Sequence, residues 1–179
     1  MGLIFEYLRK RKIRKFAADI PTAMIPLKDV KSVCVLLDVD EFGFSDLNDQ
    51  VTDWAKKNGL RLTIYYFDFR KLSKDELLLT NIKTTIIKKD LTLIGMPKPE
   101  KITDLIGEKY DLFISMVNNA KFPVEFVSKC VKAKFKVGRK GFEGDVYDIV
   151  VSKQDTPDDI NQDSCSVFAA IADLLSKVN

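Results

Sequence analysis

Asp38 and Asp40 stand one residue apart at the end of the apolar run 31–37 (KSVCVLL). Two carboxylates at that spacing, at the mouth of a buried strand, could hold a magnesium ion or divide acid and base duties on a phosphorylated or glycosylated substrate. A metal-bound nucleotide-sugar site could use the same pair, and so could a plain solvated acidic turn. Ser45 and Asp46 follow closely. A second cluster, Ser115-Met116-Val117-Asn118-Asn119, ends the apolar run 110–117 (YDLFISMV). Ser115, Asn118 and Asn119 offer a hydroxyl and two amides for a ligand, although paired asparagines also serve turns because they tolerate left-handed backbone.

Several chemistries are excluded by residue type. The 179 residues contain no histidine, which removes histidine triads, imidazole zinc sites and histidine general bases. Cys34, Cys130 and Cys165 are odd in number, widely spaced and set among apolar neighbours, as expected of buried thiols in a reducing, cytoplasmic setting rather than of a disulfide framework. Only Gly43 occurs in the turn after the first apolar run, so the three glycines that bring backbone against a pyrophosphate are missing. No P-loop lysine motif occurs either. Neither a cofactor nor a metal is expected.

Charge is unevenly placed. Residues 1–15 hold Arg9, Lys10, Arg11, Lys12, Arg14 and Lys15 against Glu6, six minus one or +5. The rest carries 23 cations and 25 carboxylates, or −2. The basic run could be a solvated helix, a phosphate-contacting arm or an anchor on anionic lipid, with Leu3, Ile4, Phe5, Tyr7 and Leu8 as the inserting residues. A nearly neutral body argues against a broad nucleic-acid footprint. The order of the segment, apolar before basic, is the reverse of a secretory signal, and no apolar run approaches the roughly 20 residues that span a bilayer.

The elements that would position these residues alternate. A basic helix is expected over about 3–17, its apolar residues spread around the wheel. Strands follow at 31–37, 60–67, 83–88, 110–117, 133–137 and 146–151. Between them lie helices at about 46–58, capped by Ser45 and closed by Asn58-Gly59; from Ser73 to about Leu79, with Glu76 completing a capping box; at 99–106, with Pro99 in the first turn; and from Pro123. Residues 91–96 read as loop or edge. A last helix opens at Thr156-Pro157-Asp158-Asp159, its aspartates favoured there by the helix dipole. This alternation predicts an α/β fold: three layers, a mostly parallel Rossmann-like sheet, and helices on both faces. Residues 1–20 form the basic helix or arm and 21–179 the single domain. In such sheets ligands bind beyond the carboxyl ends of the strands, where Asp38–Asp46 and Ser115–Lys121 fall.

Three resemblances bear on function. The segment 110–138 (YDLFISMVNNAKFPVEFVSKCVKAKFKVG), with 88–102 (KKDLTLIGMPKPEKI), resembles an uncharacterised bacterial family of small Rossmann-like proteins without assigned activity. Asp38 and Asp40 resemble the nucleophile and acid/base pair of haloacid-dehalogenase-like phosphatases, with Glu41 and Phe42 where that pattern has a small residue or threonine. The turn Phe42-Gly43-Phe44-Ser45-Asp46, the strand at Tyr110-Asp111-Leu112 and the run Ala133-Lys134 to Gly138-Arg139 are loosely similar to the N-terminal domain of lipopolysaccharide heptosyltransferases. That likeness implies Asp46 near the catalytic acid, but the sugar-nucleotide-binding second domain is missing. The leading expectation is therefore a non-catalytic or vestigial binding module, associated with the inner membrane surface through its basic helix. The alternative is a small magnesium-assisted, carboxylate-dependent enzyme, phosphatase-like or glycosyltransferase-like. A partner-binding subunit is the third.

Overall fold

The computed structural model describes residues 2–71, 80–152 and 164–178. Helix α1 (Gly2–Phe16) leads into six strands: β1 (Ser32–Asp38), β2 (Arg61–Asp68), β3 (Thr85–Ile87), β4 (Lys109–Ser115), β5 (Lys132–Gly138) and β6 (Ile149–Val150). Among them run α2 (Phe44–Lys57), α3 (Pro99–Gly107) and α4 (Phe122–Cys130), and α5 (Ser164–Lys177) closes the chain. All pairings among these six strands are parallel, and the strand order is β3-β2-β1-β4-β5-β6. The chain thus winds outward from β1 in one direction, then returns and winds outward from β4 in the other. That reversal places the topological switch point between β1 and β4.

Burial on both faces explains the uninterrupted apolar runs. Ser32–Leu37 is buried throughout. From β1, Val33, Val35 and Leu37 join α2 and α5 through Leu47, Val51, Phe168 and Ile171. Cys34 and Leu36 face the other layer, where α3 and α4 contribute Ile102, Leu105, Phe126 and Val127. Each Val or Leu buried in this way contributes about 1.5–3 kcal/mol of transfer free energy.

The structure departs from the sequence reading at two element ends, and it shows where α1 lies. Gly43, not Ser45, is the N-cap of α2, in the left-handed region at φ 73° and without a side-chain cap bond. A turn that needs positive φ selects glycine over a hydroxyl cap. The run 146–151 pairs only at Ile149 and Val150, because Val146 and Tyr147 turn inward to cover the sheet. Tyr147 lies so close over Gly138 that a Cβ there would overlap its ring. Finally, α1 is docked on the body: Ile13 and Phe16 pack against the α4 core, and the Phe16 and Phe126 rings meet edge to face at 6.1 Å. The capping box at Ser73 and Glu76, and the pair Asp158-Asp159, lie outside the described residues.

Candidate functional site at the strand switch point

Strand β1 ends at Asp38, and the chain turns through Val39–Gly43 into α2. Strand β4 ends at Ser115, and the chain runs through Asn118 and Asn119 into α4. Because β1 and β4 are neighbours, the two turns flank one crevice. Asp38, Asp40, Glu41, Asn118 and Asn119 line a depression of about 240 Å³ there. The sequence therefore located its floor from two distant segments.

Its centre is Asp38. The backbone N–H of Asp40 donates to its Oδ1 at 3.1 Å, and Asn119 Nδ2 donates to its Oδ2 at 3.2 Å, across the switch point. Burial, helped by the neighbouring carboxylates of Glu41 and Asp40, pushes the Asp38 carboxyl up; the Asp40 N–H and the Lys121 ammonium oppose the shift. Asn119 also holds its own turn, accepting from the Lys121 N–H at 3.1 Å.

Glu41 is the residue the sequence reading did not single out. The fully buried guanidinium of Arg139, just past the end of β5, hydrogen-bonds its carboxylate. Arg139 Nη1 also donates to Ser164 Oγ at 3.0 Å, and Ser164 Oγ donates to Glu41 at 2.8 Å. The carboxylate is thereby fixed to the floor of the crevice. The only sequence signal was an arginine directly after a strand-ending glycine, which is not diagnostic. Further along the same rim, Asp68 ends β2 and accepts two bonds from the Arg70 guanidinium, at 2.9 and 2.8 Å, and a third from its backbone N–H at 3.3 Å. Those bonds hold its carboxyl below the usual range.

Other candidates lie elsewhere. Ser45 and Asp46 are exposed in the first turn of α2 and do not line the depression. Because α2 starts at Phe44, both point from the helix rather than from the turn. Ser115 is buried, with its hydroxyl in no hydrogen bond among the described residues, and it is absent from the lining. Asp111, in the strand similar to the heptosyltransferase pattern, sits at the opposite end of the sheet. There its Oδ2 accepts from the N–H groups of Lys31 and Ser32 at 2.9 and 3.0 Å, and its Oδ1 from Lys134 Nζ at 2.7 Å.

Chemically, the depression offers carboxylates and amides rather than a phosphate cradle. Asp40 and Glu41 crowd the turn before α2, and Asp46 occupies that helix's first turn, so the helix terminus that would attract a phosphate is already answered by negative charge. Hydroxyl-rich or cationic ligands match this lining. Among the described residues, no three acidic or thiol side chains converge as a metal's ligand set would.

The basic segment divides by face. Arg9 is a structural residue: its Nε donates to the Ile94 carbonyl at 2.8 Å and its guanidinium covers the Phe122 ring at 4.6 Å. Lys10 pairs with Glu6 at 2.8 Å, Lys12 is half-buried, and Lys15 lies over Phe16. Arg11 and Arg14 are exposed. Among the described residues, no helix is long and apolar enough to cross a membrane.

Compared with known proteins, residues 6–163 match the model of a family of unknown function. The match takes in α1 from Glu6 onward. No curated protein and no solved structure matches the chain.

Proposed function

The chain belongs to that family, DUF6913, and we propose that it is a non-catalytic, Rossmann-like binding module held on the inner, anionic membrane surface by α1. The observation that carries the reading is the division of α1 into two faces. Arg9, Ile13 and Phe16 are committed to the body. Ile4, Tyr7, Arg11 and Arg14, spaced three and four residues apart, share the opposite side. At its N-terminal end Leu3, Ile4 and Tyr7 are 84, 73 and 65% exposed. An apolar tip followed by cations on one helix face suits insertion among acyl chains with the charges at headgroup phosphates, each nearby cation adding about 1 kcal/mol.

Vesicle sedimentation tests this reading. The full chain should pellet with vesicles of equal phosphatidylglycerol and phosphatidylcholine, and added salt should release it. Vesicles of phosphatidylcholine alone should leave it in the supernatant. The pair Arg11→Glu and Arg14→Glu, or the pair Leu3→Ser and Ile4→Ser, should abolish pelleting while leaving the docked face intact. A wild-type chain that stays in the supernatant with anionic vesicles overturns the proposal.

Asp38 favours a second reading, a carboxylate-dependent enzyme on a hydroxyl-rich, sugar-like substrate. Its raised carboxyl faces the crevice with an amide donor at 3.2 Å, as an acid/base group requires. Magnesium would have Asp38 and Asp40 as its carboxylate ligands, Glu41 being held by Arg139. Calorimetric titration with magnesium separates the cases. Heat lost in Asp38→Asn supports the enzyme, and an identical lack of heat in both chains removes the metal site.

A further inference from the structure

A second cavity lies on the other side of β5 from α5, under the connector that follows α1. It is a half-open cavity of about 370 Å³, and its walls include Ile13, Ala17, Ile20, Ala133, Val146 and Lys136. That volume is within the roughly 300–1,000 Å³ range of small-molecule sites. Lys136 is 5% exposed, which is rare for a lysine. Its Nζ donates to the Ser128 carbonyl at 2.9 Å, one of the carbonyls left open in the last turn of α4. Among the described residues, no carboxylate comes within ion-pair distance of this amine. Asp148, the carboxylate whose charge acts on it, is occupied: it accepts from the backbone N–H of Lys136 at 2.7 Å and from the Thr22 hydroxyl. Lys129, also on the cavity, is paired with Glu125 at 2.6 Å. The wall is completed by Asp145, held at φ 47° beside Gly144 at φ 83°.

We propose that this cavity is a binding site for a small, uncharged and largely apolar carbonyl compound, which Lys136 captures as a reversible imine. Burial without a counter-ion shifts an amine toward its neutral, nucleophilic form. Burial moves it from 10.5 down to about 8, against the pull of Cys130 and Asp148. The carboxylates of Asp145 and Asp148 on the wall disfavour an anionic ligand, and Ile13, Ala17, Ile20, Ala133 and Val146 offer an alkyl chain an aliphatic stretch of an otherwise polar lining. In the step, the Nζ lone pair bonds to the carbonyl carbon. The two amine hydrogens leave with the carbonyl oxygen as water, leaving a carbon–nitrogen double bond. No oxidant or reductant is needed, and hydrolysis reverses it.

Butanal with cyanoborohydride, which traps the imine as a secondary amine, is the test on the full chain at about pH 8, followed by peptide mass mapping. An ordinary lysine is less than about 1% neutral there. Lys136 should be alkylated at least about tenfold faster than the exposed Lys134, two residues away on the same strand. Ala17→Phe, which fills the cavity without touching the amine, should slow Lys136 and leave Lys134 unchanged. Equal rates at the two lysines, modification of Lys136 only after unfolding in urea, or an unaffected rate in a folded Ala17→Phe chain would each overturn the proposal.

Discussion

The guanidinium of Arg139 and the carboxylate of Glu41 join the end of β5 to the turn after β1, spanning β4 between them. The arginine side chain is 1% exposed and the glutamate 17%. Ser164 at the start of α5 completes the triangle. One buried cation thus sets the position of an acidic wall of the crevice and ties α5 to the sheet.

Removing either partner takes the opposite charge away from the other. Arg139→Ala or Glu41→Ala is expected to cost about 3–5 kcal/mol in urea denaturation. The pair Arg139→Met with Glu41→Leu should recover part of that loss, because it removes both charges together, although the buried Ser164 hydroxyl loses its two partners. A double-mutant cycle measures the coupling; single changes below about 1 kcal/mol would contradict the placement.

At the other end of the sheet, Asp111 fastens β1 to β4 and β5. Burial would raise its carboxyl, but Lys134, the N–H groups of Lys31 and Ser32, and the Ser32 hydroxyl together hold it at about 2. Its folded value is thus below its unfolded one. The stabilisation is present above about pH 4 and is lost as pH falls toward 2. Because Lys134 is solvent-exposed, screening trims the effect to about 1–2 kcal/mol. Asp111→Asn should lower stability by that amount at neutral pH and flatten the acid limb of the urea midpoint against pH.

Lys136 has the opposite signature. Its amine is depressed in the folded state, so below about pH 8 the fold carries a buried ammonium, and stability rises as pH climbs toward 10.5. The contribution is about 2–3 kcal/mol. Cys130 and Tyr147, pushed up by burial, and Asp148, Asp145 and Lys129 are the other ionisable groups nearby. Lys136→Met removes the lysine effect alone. The wild-type minus mutant difference in urea stability should therefore grow in favour of wild type between about pH 8 and 10. A difference independent of pH would show that the amine is not desolvated.

Much of this protein was legible in sequence. Uninterrupted apolar runs at β1 and β4 marked central parallel strands, since only strands covered on both faces dispense with polar alternation. The switch-point rule then turned Asp38, Asp40, Asn118 and Asn119 into one candidate site, and the structure brings those four together. Ser45, Asp46 and Ser115 were carried with them by proximity along the chain. Which way a side chain points near a strand or helix end depends on where the turn breaks, and Gly43 decides that for Ser45 and Asp46. Composition likewise exposed the basic segment but not its two faces, because the face that docks is chosen by α4 and the loop carrying Ile94.

By itself, then, the sequence determined the α/β layering, the lack of a phosphate-binding glycine trio and of histidine in these 179 residues, and the concentration of charge in residues 1–15. These follow from residue type and periodicity, which are local properties. Only the tertiary structure decided that Glu41 is clamped by Arg139 and that Lys136, one of three lysines alternating along β5, is the buried one. Both depend on what lies across the sheet: partners 98 residues away in the first case, and the covering layer of α4 and Tyr147 in the second. No local pattern encodes that. Around Asp38, the sequence supplied the acid, and the fold supplied the amide of Asn119 that meets it from the neighbouring strand.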